Sequence, residues 1–187
     1  MKMDKIEINK QKPKPHFNFK FSKPSWSVIL KTKNLVIGYD KALTKPLNLK
    51  MSKNEKIAII GANGIGKTTL LKSLIKIINP IEGKVMIDEQ HLDIGYYEQE
   101  NYYTDNVVID EISNEFPENT KTEVRRMLAR CGLTNEHINS KLCELSGGEQ
   151  AKVRLCKVIN KPSNILFLDE PTNNLDVDAK DELKRAL

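Results

Sequence analysis

Cysteine is scarce in this sequence: three residues, Cys131, Cys143 and Cys156, among 187. None has CxxC spacing, which argues against a disulfide framework or a zinc site and for a reducing compartment. Aromatic residues make up only 6% of the chain, so a core must be built mainly from aliphatic side chains. No run approaches the roughly 18 apolar residues of a membrane span. Residues 1–14 are lysine-rich and lack an apolar h-region, so no secretory signal is expected there. No internal repeat is present. What remains, 39% hydrophobic and 29% charged, is the balance of a soluble globular domain with a tail.

The charge is unevenly spread. Residues 1–33 hold nine lysines against Asp4 and Glu7, while the rest hold 21 basic and 23 acidic groups. The net +5 therefore belongs to the N-terminal arm. A basic, proline-interrupted arm can touch nucleic acid, or its lysines can simply keep a solvated linker extended. Phe17, Phe19 and Phe21 alternate with polar residues and read as an extended segment docking the arm on its own domain. Trp26 reads as a packing residue at the domain edge.

Downstream, 28–36, 47–51, 85–87 and 92–97 read as strands. Residues 56–60 form a short β-branched run before Gly61, the pattern of a buried parallel strand. Residues 66–78 carry Leu70, Leu71, Leu74, Ile75 and Ile78 at helical spacing, and Asn79-Pro80 stops them. Residues 107–116 and 120–131 are the clearest helices, the second ending before the C-cap candidate Gly132. A helix follows Gly147-Gly148, 165–168 is a buried strand, and 178–187 begins another helix. The pattern reads as an α/β nucleotide-binding fold with an inserted helical subdomain.

Three segments carry chemistry. Gly61-Ala62-Asn63-Gly64-Ile65-Gly66-Lys67-Thr68 fits G-x-x-x-x-G-K-[ST] in every fixed position. Its glycines let backbone N–H groups face a phosphate, Lys67 adds a full charge, and the Thr68 hydroxyl can ligate Mg²⁺. The alternative is a strand–turn–helix corner with coincidental glycines. Ile165-Leu166-Phe167-Leu168-Asp169-Glu170 ends a buried strand in two acids. There Asp169 can hold Mg²⁺ through water and Glu170 can act as general base, unless the pair is an ordinary acidic turn. Leu145-Ser146-Gly147-Gly148-Glu149-Gln150 offers a hydroxyl and backbone N–H groups to an anion, or merely a helix capped by Ser146.

Together these motifs resemble the ATP-binding-cassette superfamily. The resemblance covers about residues 28–187 and implies an α/β P-loop NTPase core sheet with an inserted helical subdomain. It implies ATP and Mg²⁺. Tyr39 would stack on adenine, and Gly61, Asn63, Gly64, Gly66, Lys67, Thr68 and Thr69 would line the phosphates. Thr68, Asp169 and Gln99 would hold Mg²⁺, with Gln99 also near the attacking water. Glu170 would be the catalytic glutamate. Ser146, Gly147 and Gly148 would contact the γ-phosphate held by an opposing cassette, and Asp176 would stand at that interface.

Within the superfamily, the wording GANGIGKTTLL (61–71) and FLDEPTNNLD (167–176) resembles the ABC-F proteins. That resemblance implies a cytoplasmic two-cassette ATPase acting on the ribosome, near tRNA and rRNA, as a translation factor or in antibiotic-resistance target protection. Residues 1–26 resemble the end of its interdomain linker, with residues 3–6 as the last helical turn, and 27–187 its second cassette, the helical subdomain lying at about 104–160. One departure stands out. The family's switch histidine follows a strand beyond the D-loop helix, and His16, His91 and His137 are out of place for it; each reads as a plain surface residue. The chain is therefore expected to be C-terminally truncated, poorly stable alone and slow or inactive as an ATPase. The rival readings are a transporter's ATPase subunit, which would need a membrane partner, and a truncated cassette that binds nucleotide without turnover.

Overall fold

The computed structural model describes residues 13–22, 28–87, 92–99 and 104–187. Trp26, His91 and the helical turn expected at 3–6 lie outside the described residues. The chain divides into two compact units. One holds 19–99 with 161–171; the other holds, among the described residues, 13–18, 104–160 and 172–187.

The first unit is built on β1 (Val28–Val36), flanked antiparallel by β2 (Lys50–Ser52) and β3 (Glu82–Ile87). Alternation along β1 buries Leu30 and Thr32 and leaves Lys31 and Lys33 exposed. β2 is shorter than the run 47–51 suggested, because Thr32 intrudes on the ladder. Its hydroxyl donates to the Leu47 carbonyl at 3.0 Å and accepts the Leu49 N–H at 2.8 Å. The same unit holds β4 (Ile94–Tyr97) and β5 (Ile165–Leu168), paired in parallel from Ile94 opposite Ile165 to Tyr97 opposite Leu168. Ile29, Leu30, Leu35, Ile37, Leu74, Ile165 and Phe167 form its core. Each such aliphatic side chain contributes about 1.5–3 kcal/mol on full burial.

Two expectations fail here. Residues 56–60 form no strand; Ile57 is 59% and Ile60 90% exposed. A strand exists only through a partner's hydrogen bonds, and among the described residues no segment pairs with this run. The helix expected at 66–78 is α1 (Lys67–Leu74). It stops early because Lys76 turns left-handed (φ 60). The Ile77 N–H then reaches the Lys72 carbonyl at 2.9 Å and the Lys76 N–H the Ser73 carbonyl at 3.2 Å, a Schellman ending.

The second unit is helical: α2 (Val108–Glu115), α3 (Lys121–Arg130), α4 (Asn135–Asn139), α5 (Gly147–Asn160) and α6 (Val177–Ala186). Val108, Ile112, Val124, Leu128, Ile138 and Leu155 are fully buried in it. Thr120 and Glu123 form a capping box that starts α3. Gly132, at φ 84, ends the helix as the sequence suggested. No helix among the described residues is long and apolar enough to cross a membrane.

The arm docks within this unit. The His16 N–H donates to the Arg130 carbonyl and the Phe17 N–H to Glu182 Oε1, both at 2.7 Å. Arg185 donates to the Phe17 carbonyl at 3.2 Å and to Glu182 Oε1 at 2.6 Å. Phe17 is buried in this unit, Phe19 is buried in the first, and Phe21 is 80% exposed, so burial along the aromatic alternation ends at its second member. The Arg185 guanidinium, helped by the Phe17 N–H, holds the Glu182 carboxyl down at about 2, against an ordinary 4.5.

A carboxylate with a depressed folded value stabilises the fold above its unfolded value and loses that contribution as pH falls through the folded one. The urea midpoint of the wild type should therefore exceed that of Glu182→Gln by a constant margin above about pH 4.5. The margin should shrink as pH falls toward about 2. A margin that does not change with pH would show that the carboxylate's charge is not what pins the arm.

Candidate functional site

The loop from Gly61 to Thr68 turns through two left-handed positions, Gly64 (φ 82) and Gly66 (φ 99). Glycine takes such backbone without a Cβ penalty, and Gly66 is also the N-cap of α1. The first N–H groups of α1 thus face outward beside the loop, with the positive end of the helix dipole behind them. Lys67 folds over the loop, its Nζ 3.0 Å from the carbonyls of both Gly61 and Ala62.

A second wall comes from the ends of β4 and β5. Gln99 and Glu170 each lie two residues past their strand, and the parallel register brings them together: Gln99 Nε2 donates to Glu170 Oε2 at 3.1 Å. Lys67 Nζ lies 3.9 Å from Glu170 Oε1. Glu170 itself sits at φ 49, a left-handed conformation costing a non-glycine residue about 1–2 kcal/mol. Lys72 of α1 pairs with Glu98 at 2.7 Å and ties the helix to the same strand end.

Between these walls lies a cavity of about 410 Å³. Tyr39, Asn63, Gly64, Gly66, Lys67, Thr68, Thr69, Gln99 and Glu170 line it, all singled out from the sequence, together with Leu43, which was not. Tyr39 is 66% exposed, so one aromatic face is open at the rim. Gly61 contributes through its carbonyl to Lys67 rather than through the lining. Asp169 is not among the lining residues: it is buried one position behind Glu170, and its Oδ2 has no hydrogen-bond partner.

A buried, unpartnered carboxylate oxygen fits a hydrated divalent cation held nearby. Among the described residues no cluster of three or more His, Cys, Asp or Glu could hold a metal alone. Magnesium takes one or two carboxylates plus waters and phosphate oxygens rather than an all-protein cage.

Ser146, Gly147, Gly148 and Asp176 form a group of their own in the helical unit. Ser146 precedes α5 and is its N-cap: the Glu149 N–H lies 3.4 Å from Ser146 Oγ, and the Ser146 N–H donates to Glu149 Oε2 at 2.9 Å. Ser146 and Gly147 remain exposed, so capping leaves the helix start accessible to an anion. Gly148 is required by space, since a Cβ there would lie 2.7 Å from the Asn174 carbonyl oxygen. Asp176 caps α6 through the Ala179 N–H at 2.9 Å and pairs with Lys152 at 2.6 Å. His16 is a surface residue, as the sequence suggested, whereas His137 is not a plain one. His16 pairs with Glu182 at 3.1 Å, and His137, half-buried, lies 3.2 Å from Glu149.

Known proteins share this framework. The family model described as ABC transporter matches residues 44–173. The uncharacterized ABC transporter ATP-binding protein YfmM of Bacillus subtilis (strain 168) is 58% identical over 187 residues, covering all of this chain and 36% of that protein. ABC transporter F family member 2 of Arabidopsis thaliana is 38% identical over 163 residues, covering 85% of this chain and 24% of that protein. The chain thus spans about a third or less of the length of these curated relatives. Among solved structures, the ATP-binding cassette MJ0796, a dimer in a post-hydrolysis state bound to ADP and Pi, superposes with a TM-score of 0.72 at 21% identity. That match covers 84% of this chain and 81% of that one. The chain belongs to the ABC transporter family, as an ATPase cassette of the F type.

Proposed function

We propose that this chain hydrolyses ATP as one cassette of a two-cassette protein that works on the ribosome in the cytoplasm. The observation that carries the first half is the meeting of Lys67, Gln99 and Glu170 at one phosphate-loop cavity. The loop N–H groups and Lys67 bind the β- and γ-phosphates, and Tyr39 stacks on adenine. Glu170 takes a proton from a water molecule aligned by Gln99, and the water oxygen bonds to the γ-phosphorus. The bond from that phosphorus to the bridging oxygen breaks, leaving ADP and phosphate. Thr68, Gln99 and Asp169 are the residues that would hold Mg²⁺. When bound, it neutralises charge on the phosphate oxygens.

Ser146, Gly147, Gly148 and Asp176 serve the nucleotide of an opposing cassette. The dimeric form of MJ0796 supports such a partner. ATP binding then favours a closed pair and hydrolysis releases it, a population shift driven by ligand.

The ribosomal half rests on charge. On the exposed face of the three-stranded sheet, Lys31 stands opposite Lys50 and Lys33 opposite Lys84. Like charges directly opposite destabilise a ladder, and none of the four lysines has an ion-pair partner among the described residues. An RNA phosphate backbone would reward that arrangement.

Turnover, ATP binding, sedimentation and the salt dependence of ribosome binding test this on the protein at the length its gene encodes. Glu170→Gln should lower kcat about 100-fold or more, the scale of a lost general base, while ATP still binds; Lys67→Ala should weaken ATP binding itself. Turnover that survives Glu170→Gln would overturn the mechanism. On a sucrose gradient with ATP, the Glu170→Gln protein should travel with ribosomes. Sedimentation with membranes would instead favour a transporter subunit. Changing Lys31, Lys33, Lys50 and Lys84 to Gln should flatten the salt dependence of ribosome binding. The log–log slope should fall by roughly 0.7–0.9 for each phosphate that a lysine no longer neutralises. An unchanged slope would remove the sheet face from the interface.

A further inference from the structure

The exposed serine before α5 is held by a chain of contacts that begins in α4. α4 is opened by a reciprocal box in which the partner of Thr134 is a histidine. The His137 N–H lies 3.3 Å from Thr134 Oγ1, and the Thr134 N–H donates to His137 Nδ1 at 3.3 Å. With Nδ1 accepting, a neutral imidazole carries its hydrogen on Nε2. That nitrogen lies 3.2 Å from Glu149 Oε1. The other oxygen of the same carboxylate, Oε2, accepts the Ser146 N–H at 2.9 Å.

One carboxylate therefore faces a ring nitrogen with one oxygen and the serine backbone with the other. A change of rotamer at Glu149 would release the Ser146 backbone. The ring opposes such a change at Oε1, because His137 and Glu149 are both half-buried and the imidazole is fixed by its own helix cap.

We propose that His137 is a positioning residue for Ser146: by fixing the Glu149 carboxylate it aims the serine hydroxyl and the first N–H groups of α5 at the phosphate of an opposing nucleotide. This rests on the reading of Ser146 given under Proposed function. His137 touches no substrate, so its effect should fall on the step that needs the assembled pair and spare nucleotide binding at the phosphate loop.

Two substitutions separate the contact from the cap. In His137→Asn the amide oxygen stands where Nδ1 does, keeping the α4 cap and giving up the reach to Glu149. In His137→Gln the amide nitrogen reaches the place of Nε2 and keeps that contact. ATP hydrolysis is measured for both in the protein at the length its gene encodes, beside Lys67→Ala. ATP affinity is read in parallel with a fluorescent ATP analogue.

His137→Asn should lower kcat about tenfold, the lower end of what outer-shell partners contribute at metal sites, with affinity for the analogue unchanged. His137→Gln should restore most of the turnover. An unchanged kcat in His137→Asn overturns the proposal, and a loss in His137→Gln alone would trace the effect to the helix cap; an equal loss in both variants also overturns it, because His137→Gln keeps the contact with Glu149. Turnover that persists in Lys67→Ala would instead overturn the ATPase reading beneath it.

Discussion

The parallel pairing of β4 with β5 is the constraint on which the nucleotide-binding half of this chain depends. Residues 71 positions apart in sequence meet only because Tyr97 stands opposite Leu168. A further ladder bond, from the Asp169 N–H to the Tyr97 carbonyl at 3.0 Å, holds the last residues in step. A slip of one residue would carry Gln99 past Glu170 and reverse which side chains face the core. Apolar residues buried along β5, Ile165 and Phe167, hold the register and so hold the site.

Against this ladder, the left-handed turn at Glu170 finds its reason. The chain must leave the strand abruptly for Asp169 to point inward and Glu170 to meet Gln99 and Lys67. The conformational cost is modest beside the apolar burial that anchors the strand. Asp169 bears a different cost, a buried oxygen with no partner, which a hydrated cation would relieve.

Much of this was legible in the sequence where physics is local. Helix starts and stops in the second unit followed from Thr120, Gly132 and the glycines at 147–148, because capping depends on neighbours in the chain. Among the cavity residues, the loop glycines, Lys67 and Thr68 were legible from their spacing and Glu170 from its place at a strand end, whereas Tyr39, Thr69 and Gln99 came with the family resemblance and Leu43 carried no signal. What failed was non-local. A β-branched run at 56–60 states a preference for extended backbone, but the hydrogen bonds that make a strand belong to another segment. β2 was shortened by a hydroxyl fifteen or more residues away, which no periodicity records. His137 escaped because nothing in its sequence neighbourhood shows that Glu149 lies beside it; a histidine three residues after Thr134 was the one available signal.

The docked arm has a mechanical meaning. Residues 16 and 17 grip Glu182 and Arg185, which lie on the same helix that Asp176 caps. At about 1.5 Å of rise per residue, Glu182 and Asp176 are separated by roughly 9 Å of continuous helix. A hydrogen-bonded helix is stiff over that distance. A pull on the arm is therefore a pull on α6, transmitted to the Asp176–Lys152 pair without any intervening hinge. Arm and cap behave as two ends of one short rod.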